Sequence, residues 1–287
     1  MTQVPDIPFL TTIAQAVAEV QLKYFDKLET DHIERKGRHR DLLTIADSES
    51  EQVIIRTIRQ RFPDHAILAE ESGAHLADSD SWWIIDPVDG TTNFARSFPF
   101  FAASVAYWHK GQAALALVEA PYLRERFVAE RGAGAFLNGK RLRVSDTPDI
   151  KHSILATGFS YVRNEVERNN IDNFSRLVLK CHDIRRPGAA SLDLAYVAAG
   201  RFDGYWEPYL KPWDIAAGCL LVTEAGGTVT DFAGGQDWLF GENAVASNGR
   251  VHAELLAELS GTEPGYQAWG RDVETRLRGL ARDKGNG

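Results

Sequence analysis

The sequence predicts an α/β protein in which helices pack on sheets. Two patterns carry this prediction: stretches with apolar residues at steps of three and four, and short runs of aliphatic, β-branched and aromatic residues between them. The third observation is size. A chain of 287 residues with 44% hydrophobic content can bury a large core, in one large domain or two small ones.

Residues 8–28 have helical spacing, with Ile13, Val17, Val20 and Tyr24 on one stripe and Thr11 or Thr12 as the cap. The basic segment Arg35-Lys36-Gly37-Arg38-His39-Arg40 follows. Asp47 or Ser48 can cap a second helix, because Ser48 and Glu51 have capping-box spacing. That helix buries Val53, Ile54, Ile58 and Phe62, and Phe62-Pro63-Asp64 stops it. Ala66-Ile67-Leu68-Ala69 is a short strand that runs into Glu70-Glu71-Ser72-Gly73. Paired acids at the end of a buried strand are costly unless water or a cation meets them. Residues 73–80 read as a polar loop.

The chain is organised around Trp83-Ile84-Ile85-Asp86-Pro87-Val88-Asp89-Gly90-Thr91-Thr92-Asn93. Its apolar start reads as the end of a buried strand. Pro87 fixes its own φ and pushes Asp86 toward an extended conformation. Gly90 permits a tight turn, and Thr91, Thr92 and Asn93 suit a helix start. Carboxylates bind hard cations, and a helix N-terminus binds an anion. The stretch therefore reads either as a loop for metal-assisted phosphate chemistry or as an acidic turn with a helix cap.

Beyond it, strands are expected over residues 100–108 and 113–120, joined by His109-Lys110-Gly111-Gln112, and over 125–130. Residues 131–140 are glycine-rich, but a strand at 141–144 follows them, so they read as a hairpin and not a nucleotide loop. Residues 145–151 are polar and contain Pro148, which marks an internal boundary. The expected organisation is an N-terminal half over 1–147 and a C-terminal half over 148–260. The latter alternates strands near 154–156, 184–186, 203–207, 228–231 and 244–247 with helices near 166–179, 189–199, 213–225 and 250–259. Residues 261–287 form an extension with one surface helix and a disordered end.

Composition narrows the function. A net charge of −8 and a pI near 5.5 argue against nucleic-acid binding driven by phosphate contacts. They leave room for a phosphorylated small molecule, since a bound cation reverses the local field. Cys181 and Cys219 are too few for a disulfide framework and fit a reducing cytoplasm. Neither a signal peptide nor a membrane span is evident. No Cys/His cluster offers a zinc site, and no histidine lies in a motif with a nucleophilic Ser or Cys. Glu70, Asp86, Asp89 and Asp214, three after buried strands and one opening a buried helix, together provide an all-oxygen cation site of the kind magnesium prefers.

The strings AEES, WWIIDPVDGTTNF and KPWDIAAG, in this order and separation, resemble the inositol monophosphatase family of magnesium-dependent, lithium-sensitive phosphatases. DLLTIAD and GAGAFLNGKRLRVS also fit, and the resemblance covers roughly residues 8–259. It implies a five-layer αβαβα sandwich of the sugar-phosphatase type and a homodimer. It implies a first magnesium on Glu70, Asp86 and the Val88 carbonyl, a second on Asp86, Asp89 and Asp214, and a third, weaker one near Glu70. Asp47 and Thr91 would orient the attacking water with Glu70. Asp89, Gly90 and Thr91 would hold phosphate, and Gly188, Ala189, Ala190 and Glu207 would contact the substrate alcohol. Lys36 would lie on a lid over the third-metal region. Two departures stand out: Ala69 replaces a common glycine, and Ala189 replaces a frequent serine or threonine.

The activity so implied is hydrolysis of a phosphate monoester, with inositol 1-phosphate first and a small polyol or amino alcohol as the leaving group. Histidinol phosphate, sugar phosphates including fructose 1,6-bisphosphate, and phosphoadenosine phosphate are the alternatives. A reading of another class is a regulatory interaction protein that keeps the fold.

Overall fold

The computed structural model describes residues 4–29, 33–35, 42–259 and 261–262. The expectations for Lys36 and for the C-terminal helix lie outside these residues. In chain order the elements of the first half are α1 (Ile7–Tyr24), β1 (Ile33–Arg35), β2 (Leu42–Thr44), α2 (Ile45–Arg61), β3 (Ala66–Ala69), β4 (Gly73–His75), β5 (Ser81–Asp89), α3 (Thr91–Phe94), β6 (Ala102–His109), β7 (Gln112–Ala120), β8 (Glu125–Glu130), β9 (Gly134–Leu137) and β10 (Lys140–Arg141). Those that follow are β11 (Ile154–Thr157), α4 (Ile171–Leu177), β12 (Asp183–Arg185), α5 (Ala190–Ala198), β13 (Gly204–Pro208), α6 (Pro212–Glu224), β14 (Thr228–Thr230), β15 (Asn243–Ser247) and α7 (His252–Leu259).

Two large sheets result. One has eight strands in the order β10-β9-β8-β7-β6-β5-β3-β4, and the other five in the order β12-β11-β13-β15-β14. Strand alternation divides the first sheet between two cores. Trp83, Ile85, Val105 and Leu117 face Phe9, Ile13, Val17, Ile54 and Ile58 of α1 and α2. Trp82, Ile84, Ala106 and Val118 face Leu192, Leu194, Ile215 and Leu221 of α5 and α6, which also cover Tyr205 and Ala246 of the second sheet. The outer face of that sheet, with Leu155, Trp206 and Val245, packs on Leu177 of α4 and Leu255 and Leu259 of α7. Helix pair, sheet, helix pair, sheet, helix pair: these are the five expected layers. No helix among the described residues is long and apolar enough to cross a membrane.

Several boundaries differ from the sequence reading, each for a physical reason. Asp6 caps α1 by accepting from Phe9 N at 2.9 Å, so the helix starts earlier than Thr11 or Thr12 would place it. Thr44, not Asp47 or Ser48, is the N-cap of α2, with Asp47 returning a bond to Thr44 N at 2.9 Å. Gly73–His75 is an edge strand paired to β3, not loop. The 131–144 hairpin closes with β10 at Lys140–Arg141 and not with a strand over 141–144.

Candidate active site

The site begins with a count of residues along β5. Asp86 pairs with Ser104 of β6, while Asp89 pairs with Ala102. Three steps on one strand match two on the other, so β5 carries one extra residue, a β-bulge. In a regular strand, residues three apart point to opposite faces. The extra residue restores Asp89 to the face of Asp86, the face that looks at α5 and α6. Pro87 lies inside the bulge, where its missing N–H breaks no ladder bond. The Pro87 carbonyl is held by Gln21 Nε2 of α1 at 2.8 Å. The strand thus continues through both aspartates and does not end at the first.

Two further acids meet this face, and a third, Asp47, joins them through Thr91. Glu70 follows β3, which runs parallel beside β5, and Glu70 N donates to Ile85 O at 3.1 Å. Asp214 stands in the first turn of α6, where its Oδ2 accepts from Lys211 N at 2.7 Å. Asp47, in the first turn of α2, accepts from Thr44 N at 2.9 Å and Thr44 Oγ1 at 2.5 Å through Oδ2. Its other oxygen accepts from Thr91 Oγ1 at 3.0 Å, and the same hydroxyl is 3.0 Å from Val88 O. Asp89 accepts from Ala190 N at 3.2 Å, Ser191 N at 2.6 Å and Ser191 Oγ at 2.6 Å.

Crowding buried carboxylates has the expected electrostatic result. Burial, then the charges of Glu70, Asp89 and Asp214, hold Asp86 well above the usual carboxylate range. Burial and Glu70 do the same to Asp214. Burial lifts Asp89 to about 6 against the bonds from Ser191 and Ala190, and lifts Asp47 to about 6 against those from Thr44.

The segment at 188–190 faces the same centre. Gly90 adopts φ 91°, and a Cβ there would stand 3.0 Å from Phe100 O and 3.2 Å from the Ala189 Cβ, so only glycine fits. Asn93 Nδ2 ties the α3 turn to Phe100 O at 2.7 Å and Pro187 O at 2.9 Å. Gly188, Ala189 and Ala190 therefore border Gly90, with Ala189 at the N-cap of α5. Glu207, on β13, is half-buried; burial raises it to about 7 against the Tyr205 hydroxyl, which donates to Oε2 at 2.7 Å.

Residues not singled out by the sequence also belong here. Ser191 and Thr44 hold acids in place. Buried Glu51 accepts from Glu71 N at 2.8 Å and Ser72 N at 2.9 Å, fixing the turn that carries Glu70. Asp193 is buried with Oδ1 unpartnered, near the charges of Asp89, Glu207 and Arg186. The Thr44-x-x-Asp47 pattern was a readable signal; the others have none short of the fold.

The donor set fits a hard cation. It is all oxygen, with Asp86 and Asp89 buried and Glu70 and Asp214 half-buried, and its charges raise the pKa of Asp86 and Asp214, a repulsion that divalent charge would relieve. Among the described residues no three such side chains already converge in ligand geometry. Asp89 and Asp214 instead turn oxygens to backbone N–H groups. The fit rests on chemistry and mutual charge, not on a closed coordination shell.

Known proteins carry the same arrangement of fold. A family model for the inositol monophosphatase family matches residues 3–263. Nus factor SuhB of Salmonella typhimurium is 45% identical over 256 residues, 89% of this chain and 96% of the relative. Inositol monophosphatase from Anabaena superposes with a TM-score of 0.81 at 37% identity, covering 90% of this chain and 96% of that one. An IMPase/NADP phosphatase solved with Mg2+ and phosphate gives a TM-score of 0.75 at 27% identity, covering 91% and 96%. With the match spanning nearly every element that shapes the acidic centre, this chain belongs to the inositol monophosphatase family.

Proposed function

We propose that the chain hydrolyses a small phosphate monoester, inositol 1-phosphate first, by direct attack of water in the presence of magnesium. The observation that carries this is the β5 bulge, which sets Asp86 and Asp89 on one face beside Glu70 and Asp214. Glu70, Asp86, the Val88 carbonyl, Asp89 and Asp214 would hold two or three magnesium ions. When bound, these supply neutralisation of phosphate oxygens, a more acidic water and stabilisation of the leaving alkoxide.

The chain's own groups do the rest. Thr44 locks Asp47, whose free oxygen takes the Thr91 hydroxyl proton in a hydrogen bond. Thr91 Oγ1 then has a lone pair to accept from the attacking water and orient it. With Asp47 raised to about 6, its carboxylate is a competent proton acceptor near neutral pH. The Gly90 and Thr91 amides bind phosphate, positioned by the tight packing of Gly90 on Phe100 and Ala189. Gly188, Ala189, Ala190 and Glu207 receive the alcohol. Binding and orientation of this kind supply most of the protein's share in phosphoryl transfer. Inhibition by lithium, a cytoplasmic site of action and a homodimer belong to the same proposal; exposed Phe98 and Tyr122 offer apolar surface for the last.

The test is phosphate release with magnesium from a panel of inositol phosphates, histidinol phosphate, phosphoadenosine phosphate and fructose 1,6-bisphosphate. Release from none of them overturns the proposal. A second reading, a regulatory interaction protein that keeps the fold, is favoured by the name Nus factor SuhB carried by the 45% identical relative. It predicts that losing Asp89 leaves the function intact.

A further inference from the structure

Glu207 is held from two sides. Thr157, the last residue of β11, pairs in parallel with Trp206 of β13, so the next residues, Gly158 and Glu207, are neighbours. A Cβ on Gly158 would overlap both carboxylate oxygens of Glu207. The carboxylate therefore lies flat against the bare Cα of Gly158. On the other side the fully buried Tyr205 donates to Oε2, leaving Oε1 with lone pairs for a ligand hydroxyl.

The wall formed by Gly158 is itself fixed. Buried Asn170, at φ 75°, donates from Nδ2 to Gly158 O at 2.8 Å and to Thr157 Oγ1 at 2.9 Å. Its Oδ1 accepts from Trp206 Nε1 at 2.7 Å, and Thr157 Oγ1 donates to Trp206 O at 2.6 Å. Asn170 thus rivets the end of β11 to the strand that carries Glu207. No positive φ requires glycine at 158. Glycine is needed there for space, and that space is filled by one carboxylate.

We propose that Gly158, clamped by Asn170, is a positioning residue that sets the reach of Glu207 toward the leaving-group alcohol, and so selects polyol phosphates over simple esters. This rests on the reading of Glu207 as a substrate contact. An alanine at 158 displaces the far end of a flexible side chain and leaves the backbone where it is, so Glu207 swings away while the metal-binding acids stay in place.

The experiment compares the parent with Gly158→Ala on inositol 1-phosphate and on 4-nitrophenyl phosphate, whose alcohol has no hydroxyl for Glu207. Expected is a rise in KM for inositol 1-phosphate of about tenfold or more, the scale of one hydrogen bond to a charged acceptor. Turnover of 4-nitrophenyl phosphate stays within about twofold. In a Glu207→Ala background, Gly158→Ala has no further effect on inositol 1-phosphate, because the group it displaces is gone. An unchanged KM, an equal loss on both esters, or an additive loss in the Glu207→Ala background overturns the assignment while the phosphatase reading stands. A parent that releases phosphate from neither ester nor from any other member of the panel overturns both.

Discussion

Asp89→Asn separates the chemistry of the site from its architecture, and the structure allows the balance to be worked. Asp89 is 8% exposed and its carboxyl is raised from 3.8 to about 6. A rise of roughly two pH units corresponds to about 3 kcal/mol. For an acid raised on folding, that cost is absent below the unfolded value, grows as pH rises, and is complete above about 6. Asparagine removes it at neutral pH. Against this, its amide can turn only one oxygen to the donors that Asp89 meets with two, Ala190 N on one side and Ser191 N and Oγ on the other. A buried donor left unmet costs about 1–3 kcal/mol. The two effects offset, so without magnesium the melting temperature moves by only several degrees. Phosphate release with magnesium is expected to fall by about a thousandfold, the scale of losing one preorganised charge at a transition state. The rise in melting temperature on adding magnesium shrinks as well. Parent-level activity in Asp89→Asn would refute the site; outright unfolding would show that capping α5 outweighs burial of the charge.

Three other outcomes are expected. Because Asp47 and Asp89 are both raised to about 6, the chelator-treated protein loses stability as pH rises from about 4 to 7, and magnesium restores it most at the high end; thermal melts that show no such pH-dependent magnesium effect would contradict the cation site. Asp193 is held well above the usual carboxylate range by burial and then Asp89, so Asp193→Asn, which removes the cost of burying that charge, should raise the denaturant midpoint at neutral pH; a lower midpoint would mean that the charge is wanted there. Trp83 Nε1 donates to His65 Nδ1 at 3.1 Å, and burial, then His109, lowers the imidazole pKa, so the stability it contributes is complete above the unfolded value near 6.5 and is lost as pH falls from there through the lowered folded value; melts of His65→Gln should be less acid-sensitive than those of the parent.

How much of this was legible depended on whether the signal was local. The buried strand 66–69 and the helices at 189–199 and 213–225 showed themselves through apolar runs and spacing, and the structure places them within two residues. Caps were ambiguous for a definite reason. Thr44-x-x-Asp47 and Ser48-x-x-Glu51 both have the box pattern, and only the tertiary contact of Glu51 with the 71–72 turn decides between them. The strand at Gly73–His75 was hidden by polarity, because an edge strand has little to bury. The bulge in β5 was invisible, since it exists only as a mismatch in count between two paired strands. Gly158 and Asn170 had no signal at all; a glycine after a strand and an asparagine in a polar stretch acquire meaning only across the β11–β13 pair.

Burying Asp47, Asp86 and Asp89 beside half-buried Glu70 and Asp214 should oppose folding unless something offsets their repulsion before any cation arrives. The fold supplies three helix N-termini. Asp47 bonds the first turn of α2, and Asp214 that of α6. Asp89 reaches from β5 to cap α5, whose own N-cap residue, Ala189, has no side chain to do so. Each helix end brings unpaired N–H groups and a favourable dipole to an anion. The opposition is incomplete, because the acids remain raised on balance. That incompleteness leaves a repulsion that a divalent ion would relieve; full neutralisation by the helices would leave none. Asp89 thus ties β5 to α5 and keeps the charge that a metal would use, which is why asparagine and not alanine is the informative replacement there.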